Sequence, residues 1–390
     1  MPDVLRAIGD ALSMAFAMGW EILWPLILGF AISAVVQAVV SHAEMSRLLP
    51  NDHPRSIVTA LGLGAASSSC SYAAVAIARA LFRKGADFTA AMAFQMASTN
   101  LVAELSVIIV VLMGWRFALA EFIGAPLLVL ILVIEFRLFL RPDLVREAKE
   151  QADRGIAGRM EGHAAMDMSV SNGRPLWHRI TSPEGFTAIS HYFVMDWASI
   201  WMDLVGGLLI AGALAAWVPQ QAWQEFFLID HPVLAALWGP LVGPLVAIIA
   251  FVCSVGNIPL AAVLWNGGIS FGGVLAFIFA DLIVLPILDI YRKYYGLRMA
   301  GFLLVTFYAA MAGAAFVVDA LFSLLSLVPG EHRAQIVEAS ITWNYTTWLN
   351  IAFLFVATLL IWRFLTTGGP TMLRMMNRPT AGDMHHGTAH

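Results

Sequence analysis

Charged residues are scarce in this chain of 390 residues. Asp, Glu, Lys and Arg make up 12% of it, against about 25% in an average soluble protein. Hydrophobic residues make up 60%. A soluble enzyme is excluded because it needs a polar surface, and a disordered chain is excluded because it needs few apolar residues. The composition indicates a protein whose solvent is the lipid bilayer.

Several functional signals are also missing. The net charge is −4 and there is no long basic run, so no nucleic-acid partner is predicted. No G-x-x-x-x-G-K-[ST] phosphate loop occurs, which argues against ATP as the energy source. No cofactor and no metal site are predicted, because no Cys, Asp or Glu cluster completes a coordination shell for the histidines near the C-terminus, His385, His386 and His390. The two cysteines are too few for a disulfide framework.

Apolar stretches long enough to cross a membrane recur along the chain. A crossing helix takes about 20 mainly apolar residues. Two further apolar stretches are interrupted midway by small and polar residues, at 56–82 and 233–265. An all-α polytopic integral membrane protein is therefore the predicted fold class. The continuous predicted spans lie near residues 13–40, 88–113, 116–139, 186–217, 271–289, 299–328 and 348–366.

The chain divides into two similar halves. With Cys70 placed over Cys253, residues 70–97 match residues 253–280 at nine of 28 positions without a gap. Trp, Gly and Asp-His-Pro anchors elsewhere fall in the same order at nearly the same offset. The repeat predicts the following organisation: a first transmembrane repeat at 1–140, a cytoplasmic loop at 141–185, a second transmembrane repeat at 186–328, a loop and final transmembrane helix at 329–366, and a cytoplasmic tail at 367–390.

The distribution of Lys and Arg favours inverted halves. If the interrupted segments cross fully, the best placement puts 12 of these residues inside and nine outside. If both segments are re-entrant hairpins, 18 lie inside and three outside, which agrees with the positive-inside rule. We therefore predict two inverted repeats, each with a broken or re-entrant helical hairpin, plus a final helix.

Both cysteines fall in the interrupted segments. Irregular backbone at membrane depth is tolerated only where protein or a water-filled cavity satisfies it, and paired broken segments often form a transporter's central site. Two soft thiols among hydroxyl and amide groups suit a soft, thiophilic solute. Inert packing remains the alternative for the cysteines and serines, and helix capping for the asparagine after Cys253. The candidate substrate-binding residues are Cys70, Cys253, Ser68, Ser69, Ser71, Ser254, Asn257 and Asn100.

Ionisable residues inside membrane spans are costly, which makes them functional candidates. Glu104 lies one predicted helical turn beyond Asn100 on the same face, and Asp281 aligns with this region in the other half. Glu104 and Asp281 are the predicted proton carriers, and Glu21 and Arg79 are further candidates for coupling or gating. Arg79 is expected to pair with a carboxylate or to extend toward the inner face. Three more acids fit a helix-packing role equally well: Glu121, Asp203 and Asp319.

The motifs around both cysteines resemble those of the ArsP-type permeases. In the first half the resemblance lies in residues 68–71 (Ser-Ser-Cys-Ser), 79–85 and 93–100, and in the second half in 253–259 and 281–296. It covers nearly all of the transmembrane chain. The resemblance implies a bacterial inner-membrane efflux permease whose substrates are trivalent organoarsenicals. A branch of that family has a second cysteine and a proline in the first segment, where this chain has Ser-Cys-Ser and Ala76.

The predicted function is secondary-active export of a soft, thiophilic solute, with trivalent organoarsenicals first among them, coupled to protons and without enzyme activity. Two alternatives use the same hairpins. One is a transmembrane electron carrier in which Cys70 and Cys253 form a reversible disulfide, and the other is a permease for a sulfur oxyanion. The predicted partners are the lipid bilayer, the solute and protons, in the inner membrane of a bacterium. The sequence leaves a homo-oligomer open.

Overall fold

The computed structural model describes residues 2–39, 47–67, 71–153, 176–228, 231–250, 254–330 and 345–376, with the single positions 170, 334 and 343. Within these ranges the chain is helical and contains no strand. Five of the helices described are long and apolar enough to cross a membrane, or up to seven if each of two bent pairs is one span. The predicted all-α class is confirmed, and the chain is a multi-pass membrane protein.

The predicted spans coincide with long helices or with pairs of helices separated by a short break. In chain order the helices are α1 (Pro2–Val39), α2 (Pro54–Ser67), α3 (Ser71–Arg83), α4 (Phe88–Asn100), α5 (Ala103–Met113), α6 (Trp115–Phe139), α7 (Pro142–Asp153), α8 (Leu176–Thr181), α9 (Pro183–Trp217), α10 (Gln220–Phe226), α11 (Pro232–Ala250), α12 (Ser254–Asn266), α13 (Phe271–Phe279), α14 (Leu285–Tyr295), α15 (Leu297–Leu324), α16 (Tyr345–Thr366) and α17 (Gly369–Met376), with a 3₁₀ turn at Ala280–Leu282.

The first interrupted segment consists of α2 and α3, on either side of residues 68–70, which lie outside the described residues. Its two ends meet, because the N–H of Asp87 donates to the carbonyl oxygen of Leu49 across 2.9 Å. Helix α2 packs along α4. A Cβ at Gly64 would lie 2.5 Å from the carbonyl oxygen of Phe94, so glycine permits this close approach. The two ends of the segment therefore lie close together.

The second interrupted segment, α11 and α12, has a similar form on either side of residues 251–253, which also lie outside the described residues. The indole ring of Trp223, just before α11, packs against Gly267, just after α12. Helix α11 packs along α13 as α2 packs along α4, and Gly239 allows the contact with Ser270. The residues that flank this segment therefore also lie close together.

The two interrupted segments are followed by the same local turn. Gly85 and Gly268 have φ values of 101° and 95°, in the left-handed region that glycine adopts without steric cost. Two residues later, the side chains of Asp87 and Ser270 cap the next helix by accepting a backbone hydrogen bond. These four positions align in the predicted repeat, and the caps fix where α4 and α13 begin.

A helix that the sequence analysis does not predict, α7, forms in the loop between the predicted repeats. Ala148 and Ala152, four residues apart, are both fully buried. The ammonium of Lys149 donates to two carbonyl oxygens at the end of α3, each at 2.8 Å. The amide of Gln151 donates to the carbonyl oxygen of Lys293, near the end of α14, at 3.1 Å. Helix α7 thus joins α3 to α14.

Candidate functional site

The second arms of the two interrupted segments begin next to each other. Ser71 is the first residue of α3 and Ser254 is the first residue of α12. The N–H of Ser254 approaches the Oγ of Ser71 to 3.4 Å, and both residues are buried. The residues predicted to bind substrate just before them, Ser68, Ser69, Cys70 and Cys253, lie outside the described residues. Their roles remain predictions.

Asp281 joins this contact from the 3₁₀ turn between α13 and α14. The hydroxyl of Ser71 donates to its Oδ2 across 2.6 Å. Its Oδ1 has no hydrogen-bond partner among the described residues. The side chains of Thr99 and Asn100 lie beside the same carboxylate. Three elements thus bring Ser71, Asn100 and Asp281 together into one buried polar cluster. We call this cluster, with the adjacent Ser254 and Thr99, the junction.

The end of α4 is shaped by side chains that bond back to their own helix. The amide of Asn100 donates to the carbonyl oxygen of Met96 at 3.1 Å and to the hydroxyl of Thr99 at 3.0 Å. Such bonds compete with continued helix. The helix ends at Asn100 and resumes at Ala103, so the single span predicted here is two helices. The expectation that Glu104 follows Asn100 on one continuous helical face is therefore wrong.

Glu104 contacts a different neighbour. It is buried in the first turn of α5, and its Cβ lies against Gly29 of α1, where an added side chain would overlap it. One of its carboxylate oxygens has no partner in the described part of the chain. Negative charge is favourable at a helix N-terminus. Glu21 lies in α1, but its side chain is outside the description. The coupling roles of Glu104 and Glu21 stay predictions.

Glu121, on α6, is a buried carboxylate that the sequence analysis assigns equally to helix packing. It is fully buried, and neither oxygen has a hydrogen-bond partner within the described ranges. The charge of Asp281 acts on it. The sequence signal for Glu121 is its position in an apolar membrane span, where an acid is costly. Glu121 is therefore close enough to Asp281 for the two negative charges to repel each other.

Asn257 lies one turn after Ser254 on α12 and is fully buried. Neither atom of its amide group has a hydrogen-bond partner among the residues the structure describes. The alternative prediction, that Asn257 caps α12, is wrong because the helix already begins at Ser254. A buried polar group without a partner costs about 1–3 kcal/mol, so this amide is available to a ligand or to water.

Arg79 lies two turns along α3 from Ser71. Its Nη2 donates to the carbonyl oxygen of Ala152 in α7 at 2.7 Å. Its guanidinium carbon lies 4.2 Å from the ring centre of Tyr294, an arrangement that a cation favours. Among the described residues, Arg79 is the one Lys or Arg that is buried. It joins α3 to α7 and α14 rather than contributing to the junction.

An apolar cleft of ≈ 480 Å³ lies between α9, α11 and α12. Its lining includes Ala250, the last residue before the second interruption, and Leu260, which follows the junction on α12. A Cβ added at Gly206, also in the lining, would meet nothing within 4 Å. The volume is typical of small-molecule sites, which range over about 300–1,000 Å³.

No group of three or more His, Cys, Asp or Glu that could hold a metal ion occurs among the described residues. The histidines near the C-terminus lie outside them. The junction instead offers hydroxyl, amide and carboxylate groups from four elements.

Comparison with known proteins agrees with a membrane transport role. Residues 7–320 match the profile of the ArsP_1 family, which is described as "Predicted permease". A protein of Mycobacterium tuberculosis (strain ATCC 25618 / H37Rv) named "Putative permease Rv2963" is 61% identical over 373 residues, which cover 96% of this chain and 92% of that protein. No solved structure matches the chain.

Proposed function

Because the chain belongs to the ArsP_1 family of predicted permeases, we propose that this permease exports a soft, thiophilic solute by secondary active transport. Trivalent organoarsenicals are the proposed solutes and protons the proposed coupling ion. The inner membrane of a bacterium is the proposed location. The predicted arrangement of two inverted repeats with re-entrant hairpins is part of the same proposal.

One contact carries the proposal. Ser71 and Ser254 approach each other to 3.4 Å, and each directly follows a cysteine in the chain. Neighbouring Cα atoms are about 3.8 Å apart, so we expect Cys70 and Cys253 to lie near this contact. A trivalent arsenical with two open valences prefers two thiolate ligands. The contact therefore supports a solute held by both cysteines.

The ends of the interrupted segments support inverted repeats. The hairpin α2–α3 opens beside α7, because Lys149 bonds to the end of α3. Helix α7 also bonds to the end of α14 through Gln151. The bent pair Phe271–Leu282 and Leu285–Tyr295 leads from the opening of the hairpin α11–α12 to α7. Two hairpins that open on opposite sides and meet at their second arms fit the geometry of inverted-repeat transporters.

The apolar cleft supports a solute that carries an organic group. It adjoins Ala250 and Leu260, on either side of the second interruption along the chain. If thiols at the junction bind the arsenic atom, its methyl or aryl substituent still needs an apolar pocket. A cleft lined by aliphatic side chains and glycine suits such a substituent. A small oxyanion would gain nothing from it.

Export assays with cysteine variants test the proposal. Everted membrane vesicles are prepared from arsenical-sensitive bacteria that produce the protein. They are incubated with methylarsenite or with reduced aromatic arsenicals, and export is measured as accumulation of the arsenical inside the vesicles. Cys70→Ser and Cys253→Ser should each reduce accumulation to the level of vesicles without the protein, because serine keeps the size but removes the soft ligand. Ser106→Ala, a change at a serine outside the junction, is the matched control and should transport normally.

Unchanged transport of every trivalent arsenical by both cysteine variants would show that the thiol mechanism is wrong. Alkylation trapping in cells addresses the electron-carrier alternative. A Cys70–Cys253 disulfide that forms and disappears with the redox state of the cell would favour that carrier. Protection of both thiols from alkylation by added methylarsenite supports the permease.

A further inference from the structure

Two buried carboxylates act on each other without a compensating cation among the described residues. Glu121 and Asp281 are both fully buried. Gly124, one turn after Glu121 on α6, packs against the ring of Phe279, two residues before Asp281, so the two acids lie on elements in contact and the charge of Asp281 acts on Glu121. Arg79, the buried cation of the described chain, bonds to α7 instead. Two negative charges in so apolar a setting are far more costly than one.

The groups around the pair are polar but not cationic. Helix α3 contributes Ser71, while α11, α12 and α13 contribute no titratable residue. The thiols of Cys70 and Cys253 and the carboxyl of Glu21 lie outside the described side chains. Other titratable and polar groups on the packed elements include Thr99 and Asn100 of α4, Glu104 of α5, Tyr291 and Tyr295 of α14, and Asp319 of α15.

The hydrogen bonding of the pair is incomplete without a proton. The Oδ1 of Asp281 and both oxygens of Glu121 have no partner among the described residues. Ionised carboxylates only accept hydrogen bonds, so they cannot satisfy one another. A proton held by either acid removes one charge and supplies a donor. The buried amide oxygen of Asn100, beside Asp281, is likewise without a donor.

We infer that Glu121 and Asp281 together bind the proton that couples solute export to the proton gradient. This inference rests on the proposed function for its solute and adds a residue, Glu121, to the coupling site. Asp281 also accepts the hydrogen bond of Ser71, which in turn lies against Ser254. The charge of the pair therefore acts directly on the contact between the hairpins.

Infrared difference spectroscopy of the purified full-length protein tests the pair without any solute. At neutral pH the protein should show the carbonyl band of a protonated, buried carboxylic acid that disappears on alkaline titration. Glu121→Gln should remove this band, and Asp281→Asn should keep it but change its frequency because the neighbouring charge is gone. Glu135→Gln is the matched control, a partly buried acid on the same helix as Glu121, and should leave the Glu121 band and its response to Asp281→Asn unchanged.

Reconstituted transport tests the coupling. With methylarsenite as the solute, Glu121→Gln and Asp281→Asn should each reduce accumulation driven by a proton gradient by roughly tenfold, the usual size of a coupling effect, while solute exchange without a gradient continues. Glu135→Gln, a change at a partly buried acid on the same helix as Glu121, is the control and should keep both activities.

A band that persists in Glu121→Gln, gradient-driven transport that survives in that variant, or accumulation driven by sodium instead of protons would each overturn the inference. If the wild-type protein moves no arsenical at all, the proposed function fails, while the infrared result still decides whether the pair binds a proton.

Discussion

At the residue scale, Ser71 makes contacts that no other described side chain could replace. Its hydroxyl donates to Asp281 at 2.6 Å and lies 3.4 Å from the N–H of Ser254. One small side chain therefore links α3 to the 3₁₀ turn and to α12. A hydroxyl is suited to this position because it is both a donor and an acceptor.

Replacing Ser71 by alanine should destabilise the protein. The change leaves a buried carboxylate oxygen and a buried N–H without partners, which costs about 1–3 kcal/mol. Thermal unfolding of the purified protein in detergent should therefore occur at a lower temperature. Ser106→Ala removes a hydroxyl that bonds to its own helix at Val102, and should have little effect. Equal unfolding temperatures for the two variants would contradict the role given to Ser71.

Gly206 gives a test of the apolar cleft. A side chain added there meets nothing within 4 Å and should occupy the cleft without disturbing the packing. We expect Gly206→Leu to reduce export of aromatic arsenicals at least about tenfold while methylarsenite export changes little, since one methylene group more or less in an apolar pocket is worth about 10–200-fold in selectivity. Competition between the two solutes in the same vesicles measures this ratio. An unchanged ratio would remove the cleft from the solute pathway.

At the scale of elements, α7 connects the ends of α3 and α14 through side-chain hydrogen bonds. Lys149 bonds to carbonyl oxygens that end α3, Arg79 bonds to α7 from within α3, and Glu147 pairs with Arg298 at the start of α15 at 2.7 Å. The amphipathic character of α7 comes from alanines at 148 and 152 that face the protein.

Lys149→Ala should weaken the attachment of α7 to α3. The carbonyl oxygens at the end of α3 lose their donor, so amides in α7 and in the last turn of α3 should exchange with solvent faster, by roughly tenfold for each 1.4 kcal/mol lost. Hydrogen-exchange mass spectrometry measures this directly. Arg146→Ala, in the same helix, breaks only an exposed pair with Asp143 and should leave exchange unchanged. Equal amide exchange rates in the two variants would show that Lys149 does not attach α7 to α3.

The sequence predicts some of these elements and not others, for physical reasons. The long spans and both interrupted segments are predicted because apolar length and its interruption depend on local composition. Helix α7 is not, because its buried face consists of alanines, which carry little hydrophobic signal. The break after Asn100 depends on side chains bonding back to the helix. The position of Glu121 relative to Asp281 depends on a tertiary contact, which one sequence does not reveal.

At the scale of the whole molecule, the two ends of each interrupted segment lie close together. Arg55 and Lys84 flank the first, and both are exposed. If this segment is re-entrant, both positions lie on the cytoplasmic side, whereas a full crossing would separate them.

Cysteine labelling distinguishes these cases. In a protein without its own two cysteines, Arg55→Cys and Lys84→Cys should both be protected from a membrane-impermeant maleimide in intact cells. Trp115→Cys, at the first residue of α6 and 57% exposed, should react. All three should react once the cells are opened. Labelling of only one of the two flanking positions in intact cells would show that the segment crosses the membrane.

Helix α4 is buried along its whole length, from Phe88 to Asn100. An element that never touches lipid cannot be placed by partitioning into the bilayer alone, so its position must be set after its neighbours have inserted. Its polar end at Thr99 and Asn100 meets Asp281 only when the second half has been synthesised. During biogenesis the first half must therefore carry an unsatisfied polar surface through nearly two hundred residues of further translation, which makes it the stage at which membrane chaperones and quality control would act.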